Sequence, residues 1–160
     1  MKMNEGVEWA LHSCVNLCWI PGEPVTATRL AAFYELPAAY LNKQLQALSR
    51  AGILSSTSGP KGGFQLARRP DKITLLDIVV AVDGPDEAFR CGEILRAGPG
   101  GNPATDYRKT CLVSQAMHKA ELNWRRELAS QTVADIVASV EKTFPGTPEN
   151  TRTWFANLKS

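Results

Sequence analysis

The chain has 160 residues, 44% of them hydrophobic and 21% charged, with a formal net charge of +2. That make-up fits one globular domain plus an extension and excludes a disordered or collagen-like chain. No apolar run approaches the roughly 20 residues of a bilayer span and no leader pattern opens the sequence, so a cytoplasmic protein is expected. In that compartment four cysteines read as ligands, redox groups or core residues rather than as a disulfide framework.

In chain order, a first helix is expected from about Asn4 to Cys18, stopped by Pro21-Gly22, with Val7, Leu11, Cys14 and Cys18 at helical spacing on the core face. Thr26 or Thr28 can start a second helix containing Leu30, Ala31 and Phe33. Pro37 suits the first turn of a third, Ala38 to Ala51, whose buried stripe is Leu41, Leu45 and Leu48. Its other side offers Tyr40, Asn42, Lys43, Gln44, Gln46 and Arg50, side chains able to bond base edges or phosphates. Two short β segments, Ile53–Ser56 and Phe64–Ala67, then flank a turn containing Lys61-Gly62-Gly63. Helix, turn, helix, hairpin is the outline of a winged helix. Lys61 supplies charge, and Gly62 and Gly63 let the main chain turn and approach a phosphate closely.

Charge supports a DNA-binding reading of that stretch. Arg29, Lys43, Arg50, Lys61, Arg68 and Arg69 face only Glu35, a local excess of +5 between Thr26 and Arg69 that leaves −3 for the remainder. Concentrated positive charge on a small module is what phosphate neutralisation requires. After the wing, Ile73 to Val82 predicts a short helix with Thr74 as its cap, closed by Asp83-Gly-Pro-Asp86. Residues 91–110 read as loop, and a long helix from about Leu112 to Val140 carries an apolar stripe suited to dimerisation. The tail from Pro145 reads as partly ordered, with Trp154 and Phe155 as anchors. The fold class expected is mainly α with a small β-wing.

Tyr40-Leu41, Leu48-Ser-Arg-Ala-Gly52, Gly59 to Arg68, Ile73-Thr-Leu-Leu-Asp77 and Ala81-Val-Asp-Gly84 together resemble the Rrf2 family of transcription regulators over roughly the first 90 residues. The resemblance implies homodimers that read an inverted repeat in double-stranded DNA, and in many members an iron–sulfur cluster before the dimerisation helix. It divides the chain into a winged helix-turn-helix domain (1–84), a cofactor-binding loop (85–111), a dimerisation helix (112–142) and a tail (143–160). DNA contacts are then expected from Tyr40, Lys43, Gln44, Arg50, Lys61, Gly62 and Gly63.

The loop departs from the usual cluster pattern of three closely spaced cysteines, having only Cys91 and Cys111. The nearest resemblance, carried by Val7-Glu-Trp-Ala-Leu-His12 and Ala81 to Asp86, is to a redox-sensing branch of the family. That likeness implies a [2Fe–2S] cluster held by Cys91 and Cys111 of one subunit and Glu8 and His12 of the other, with Trp9 relaying redox state. Glu8 and His12, four apart, project from one side of a helix about 6 Å apart. Replacing two thiolates by carboxylate and imidazole hardens one iron, and His-for-Cys replacement raises the potential in Rieske centres. From the residues alone other arrangements stand beside this one. Glu8 and His12 can be a solvated pair, and Cys91 and Cys111 a reversible disulfide or buried thiols. Cys14 and Cys18 can be core residues or, with Cys91 and Cys111, a four-cysteine site. His118 reads as a packed or exposed residue of the long helix. No phosphate loop, hydrolase elbow or dinucleotide fingerprint points to an enzyme.

Overall fold

Asn4 begins the first helix in the computed structural model, which describes residues 3–157. Its side chain accepts a hydrogen bond from the Gly6 amide, and α1 runs Glu5–Cys18. Thr26 caps α2 (Ala27–Phe33) in the same way, accepting from the Arg29 amide. After a turn through Glu35, which adopts a positive φ of 54°, α3 follows over Ala38–Arg50. These caps satisfy amides that a helix start otherwise leaves without partners. The stripe expected on α3 is buried: Leu41, Leu45 and Leu48 meet Ala10, Cys14 and Leu17 of α1 and Leu30 of α2 in one core. Of the α1 face expected at Val7, Leu11, Cys14 and Cys18, only Val7 and Cys14 are buried, and Leu11 and Cys18 are half-buried.

Strands β1 (Leu54–Thr57) and β2 (Gly63–Leu66) pair antiparallel, from Leu54 opposite Leu66 to Thr57 opposite Gly63. The wing is stitched to the segment before α2, because Phe64 exchanges both backbone hydrogen bonds with Val25 (2.8 and 3.0 Å). Helix α4 (Leu75–Asp83) opens with a complete capping box, Thr74 and Asp77 each bonding the other's amide. A long loop containing a short 3-10 turn, Ile94–Ala97, leads to the four-residue α5 (Tyr107–Thr110) and then to α6 (Leu112–Ser130).

Two expectations are corrected here. The helix expected over 112–142 is two helices, because Gln131 is extended and α7 (Val133–Thr143) begins with its own capping box, Thr132 with Asp135. Backbone groups at the break find partners beside α4: the Leu75 amide donates to the Gln131 carbonyl (3.0 Å) and the Val133 amide to the Ile73 carbonyl (2.9 Å). Breaking there lets Val133 enter the core completely. The tail, expected to be partly ordered, forms α8 (Thr147–Asn157). Its Phe155 is buried and stacks on Phe33 of α2 at 5.4 Å, and its carbonyl accepts from the Arg29 guanidinium. The anchoring role expected of Trp154 and Phe155 stands. Among the described residues no helix is long and apolar enough to cross a membrane.

Candidate functional site

The helix-turn-helix and wing present an exposed basic face. Asn42, Lys43 and Arg50 of α3 are exposed, as is Lys61 at the wing, while Tyr40 is half-buried. Gln44 is not on that face. Only 3% exposed, it packs against Gly6 of α1, where a Cβ would come within 2.7 Å of its side-chain carbon. It therefore joins α1 to α3 and offers no surface to a nucleic acid. Other cations of the basic stretch are also engaged internally. Arg68 donates to the Ala51 and Gly52 carbonyls at the end of α3, and Arg69 pairs with Asp71. The two wing glycines meet an internal demand: a Cβ on Gly62 would lie 2.0 Å from the Thr57 carbonyl oxygen, and one on Gly63 (φ 142°) 2.5 Å from the Val25 backbone.

Cys91 and Cys111 come together on the loop side. Both are half-buried and line one apolar cavity of about 280 Å³ with Phe89, Ile94, Tyr107 and Val113. Cys111 is the residue from which α6 starts, where the helix dipole favours negative charge. The loop is strapped down at several points. Glu93, in the left-handed conformation, accepts from Arg96 (2.6 Å) and Arg108 (3.0 Å). Arg125 of α6, paired with the buried Glu121 at 2.9 Å, donates to the carbonyls of Pro85 and Asp86. His118 bonds Glu87 at 3.2 Å and meets the Phe89 ring edge-on. The ties from Arg125 and His118 of α6 join loop to helix across a distance no local sequence pattern reports, whereas Glu93 and Arg96 stand at the local i, i+3 spacing.

Glu8 and His12 lie elsewhere, both exposed on α1 at the rim of a groove lined by Val7, Leu11, Val15 and Ile136. The His12 ring lies 5.4 Å from that of Tyr34, whose phenol is pushed above its ordinary pKa by burial, with a hydrogen bond to Asn16 working the other way. Trp9, half-buried, meets Tyr40 of α3 edge-on at 5.0 Å, and the Tyr40 hydroxyl donates to Asn4 Oδ1 at 3.2 Å. Among the described residues of one chain, no three His, Cys, Asp or Glu side chains gather as a metal-binding group. Within one chain Cys91 and Cys111 thus lie on the loop, and Glu8 and His12 lie apart from them on α1.

Cys14 and Cys18 belong to the core side of α1. Burial raises the Cys14 thiol far above its ordinary pKa, and burial followed by the Glu141 carboxylate pushes Cys18 up to about 11. A thiol so reluctant to ionise is a poor ligand.

Comparison with known proteins follows the same outline. The profile of the Rrf2 family, described as an iron-dependent transcriptional regulator, matches residues 3–139. Protein rrf2 of Nitratidesulfovibrio vulgaris is 29% identical over 115 residues, 72% of either chain. An Aquifex aeolicus protein bearing the name of an HTH-type transcriptional regulator is 35% identical over 79 residues, 49% of this chain and 55% of that one. The match therefore spans about half the length of that relative. Among solved structures, IscR of T. potens superposes with a TM-score of 0.66 at 21% identity, covering 90% of this chain and 91% of that one. CymR, the global cysteine regulator of B. subtilis, gives 0.62 at 22%, covering 87% and 98%. At such identities the likeness is one of fold.

Proposed function

The chain belongs to the Rrf2 family of DNA-binding transcription regulators, and on that premise we propose that it is a homodimeric, redox-responsive repressor sensing through a [2Fe–2S] cluster shared between its two subunits. The observation that carries this reading is the separation of the donors. Cys91 and Cys111 share one cavity while Glu8 and His12 stand exposed on another element, so each chain offers two complementary halves of a four-ligand site. The donor chemistry fits: two thiolates suit iron, and a carboxylate and an imidazole can complete the second iron's coordination. When bound, such a cluster supplies a one-electron couple. The protein's own residues would hold it at the subunit boundary, and the edge contact between Trp9 and Tyr40 would carry the change to the recognition helix.

Lys43, Arg50 and Lys61 would neutralise phosphates while Asn42 and Tyr40 approach base edges, and two heads on a two-fold axis would read an inverted repeat. Such a regulator works in the cytoplasm, beside its DNA. Iron and sulfide analysis with absorption spectra of protein purified without oxygen is the test. Wild type should be coloured, Cys91→Ala and Cys111→Ala colourless, and Glu8→Ala and His12→Ala spectrally altered with less iron. Full colour in the Glu8 and His12 variants would remove those ligands. One observation favours a second reading: Cys91 and Cys111 are free thiols of the same cavity, an arrangement suited to a cluster-free thiol/disulfide switch. Colourless anaerobic wild-type protein would select it.

A further inference from the structure

Arg29 of α2 is a cation of the basic stretch that the C-terminal helix holds in place. Its guanidinium donates to the Phe155 carbonyl and lies over the Phe155 ring at 5.6 Å, and its Nε is enclosed without a hydrogen-bond partner. Ring packing fixes α8 there: Phe155 is buried and stacked on Phe33, and Trp154 meets Phe33 edge-on at 4.9 Å. Residues 147–157 lie beyond the stretch 3–139 that the family profile matches, so membership alone gives this contact no role. Arg29 also lines a cavity of about 520 Å³ between the start of α2 and the wing, together with Glu23, Thr26, Pro60, Lys61 and Gly62. We infer that Arg29 and Lys61 grip a phosphate of duplex DNA in this cleft, and that α8 is the element that positions Arg29 to do so.

The chemistry of the hold decides between positioning and masking. A carbonyl and a ring face bear no formal charge, so the tail fixes the guanidinium and leaves its positive charge in force. Arg69 shows the opposite arrangement, its charge paired with Asp71, and Arg68 has Asp77 at 3.6 Å. The donor count points the same way. A guanidinium carries five N–H donors; the Phe155 bond takes one and the enclosed Nε is another, so the rest remain for an acceptor in the cleft. Location says which acceptor. Lys61 is exposed on the basic face of the head, and two cations against the Glu23 carboxylate give the lining a net positive charge. Duplex DNA lying against wing and α2 presents phosphates there. An arginine already held in one geometry gives up less freedom on binding than a free one, which is what the tail contributes. The inference rests on the DNA-binding reading of the head and not on the cluster.

The test is fluorescence anisotropy with a labelled duplex of mixed sequence, titrated at several salt concentrations with the full chain as purified. Binding of such DNA rests on phosphate contacts, so the slope of log affinity against log salt counts them. Arg29→Gln should weaken binding about tenfold and reduce the slope by about 0.9 for each head bound, and Arg29→Lys should recover the slope. An unchanged slope in Arg29→Gln would overturn the clamp. Trp154→Ala with Phe155→Ala, which frees α8 from Phe33 in the full chain, should lose the same increment although Arg29 is present. Arg29→Gln added to that pair should cost nothing more. Tighter binding by the pair, or losses that add, would overturn the positioning role of α8. Should the pair lose its cooperative melting transition, Phe155→Leu takes its place, with a smaller loss of the same kind expected and wild-type binding as the contrary result. Wild type that binds no duplex at any salt strikes the DNA-binding reading as well, whereas wild-type binding with an unaltered Arg29→Gln slope strikes this inference alone.

Discussion

Gln44 shows how one side chain can change the meaning of a surface. With Leu41, Leu45 and Leu48 it completes the i, i+3, i+4, i+7 set that faces inward on α3, so its position predicts burial even though its chemistry suggested DNA contact. The polar residue type outweighed its place on the wheel, and Gly6, which makes room for it, lies on another helix. Trp9 acts at this scale too. If its edge contact with Tyr40 couples α1 to α3, Trp9→Ala should retain DNA binding but shrink the difference between oxidised and reduced protein to under twofold, read by fluorescence anisotropy on operator DNA. The cysteines sort by burial in the same way. With Cys18 at about 11, roughly one thiol in a thousand is ionised at pH 8, and Cys14 is fully enclosed. Iodoacetamide should therefore modify Cys91 and Cys111 first in native cluster-free protein, Cys18 slowly and Cys14 only on unfolding, as peptide mapping would show; early labelling of Cys14 would contradict its enclosure.

Helices α1 to α4 and the wing were legible from periodicity, caps and turn residues, to within a residue or two at their ends. The break between α6 and α7 was also written locally, as Thr132-x-x-Asp135, but a continuous apolar stripe on both sides concealed it. In α8, Thr147-Pro148 is a helix start that the surrounding Pro, Gly and Asn made to look like loop. For the candidate site, the i, i+4 spacing set Glu8 and His12 on one side of α1 in advance, whereas the shared cavity of Cys91 and Cys111 and the ties from α6 to the loop depend on tertiary contacts. The α7 cap makes its own prediction. Thr132, through its backbone amide first and then its hydroxyl, holds the Asp135 carboxyl below its ordinary pKa. Its stabilising effect is therefore complete above about pH 4 and is lost as pH falls through the lowered folded value. Asp135→Asn should flatten that part of the acid dependence of Tm, and Thr132→Ala should cost about 1 kcal/mol at neutral pH. An acid limb identical to wild type in the asparagine variant would count against this role.

For the whole molecule, the remaining question is how a local event becomes a change in DNA affinity. In the proposed homodimer the exposed apolar residues Leu112, Val113, Met117 and Leu122 of α6 would offer the surface for a long two-fold contact. Dithionite reduction should change operator affinity at least tenfold, about 1.4 kcal/mol. Equal binding in both states would eliminate the switch, and titration at several salt concentrations would separate it from general phosphate attraction. The joint at Gln131 also bears on which lengths of chain the protein tolerates. Thr74 and Thr132, each opening a helix, lie side by side as a single antiparallel bridge, with reciprocal amide-to-carbonyl bonds on either flank. Such a rivet has no slack. The Gly98–Asn102 bend can absorb inserted residues without disturbing it, whereas a single residue added between Gln131 and Val133 would unseat two helix starts at once and leave the heads without a fixed bearing.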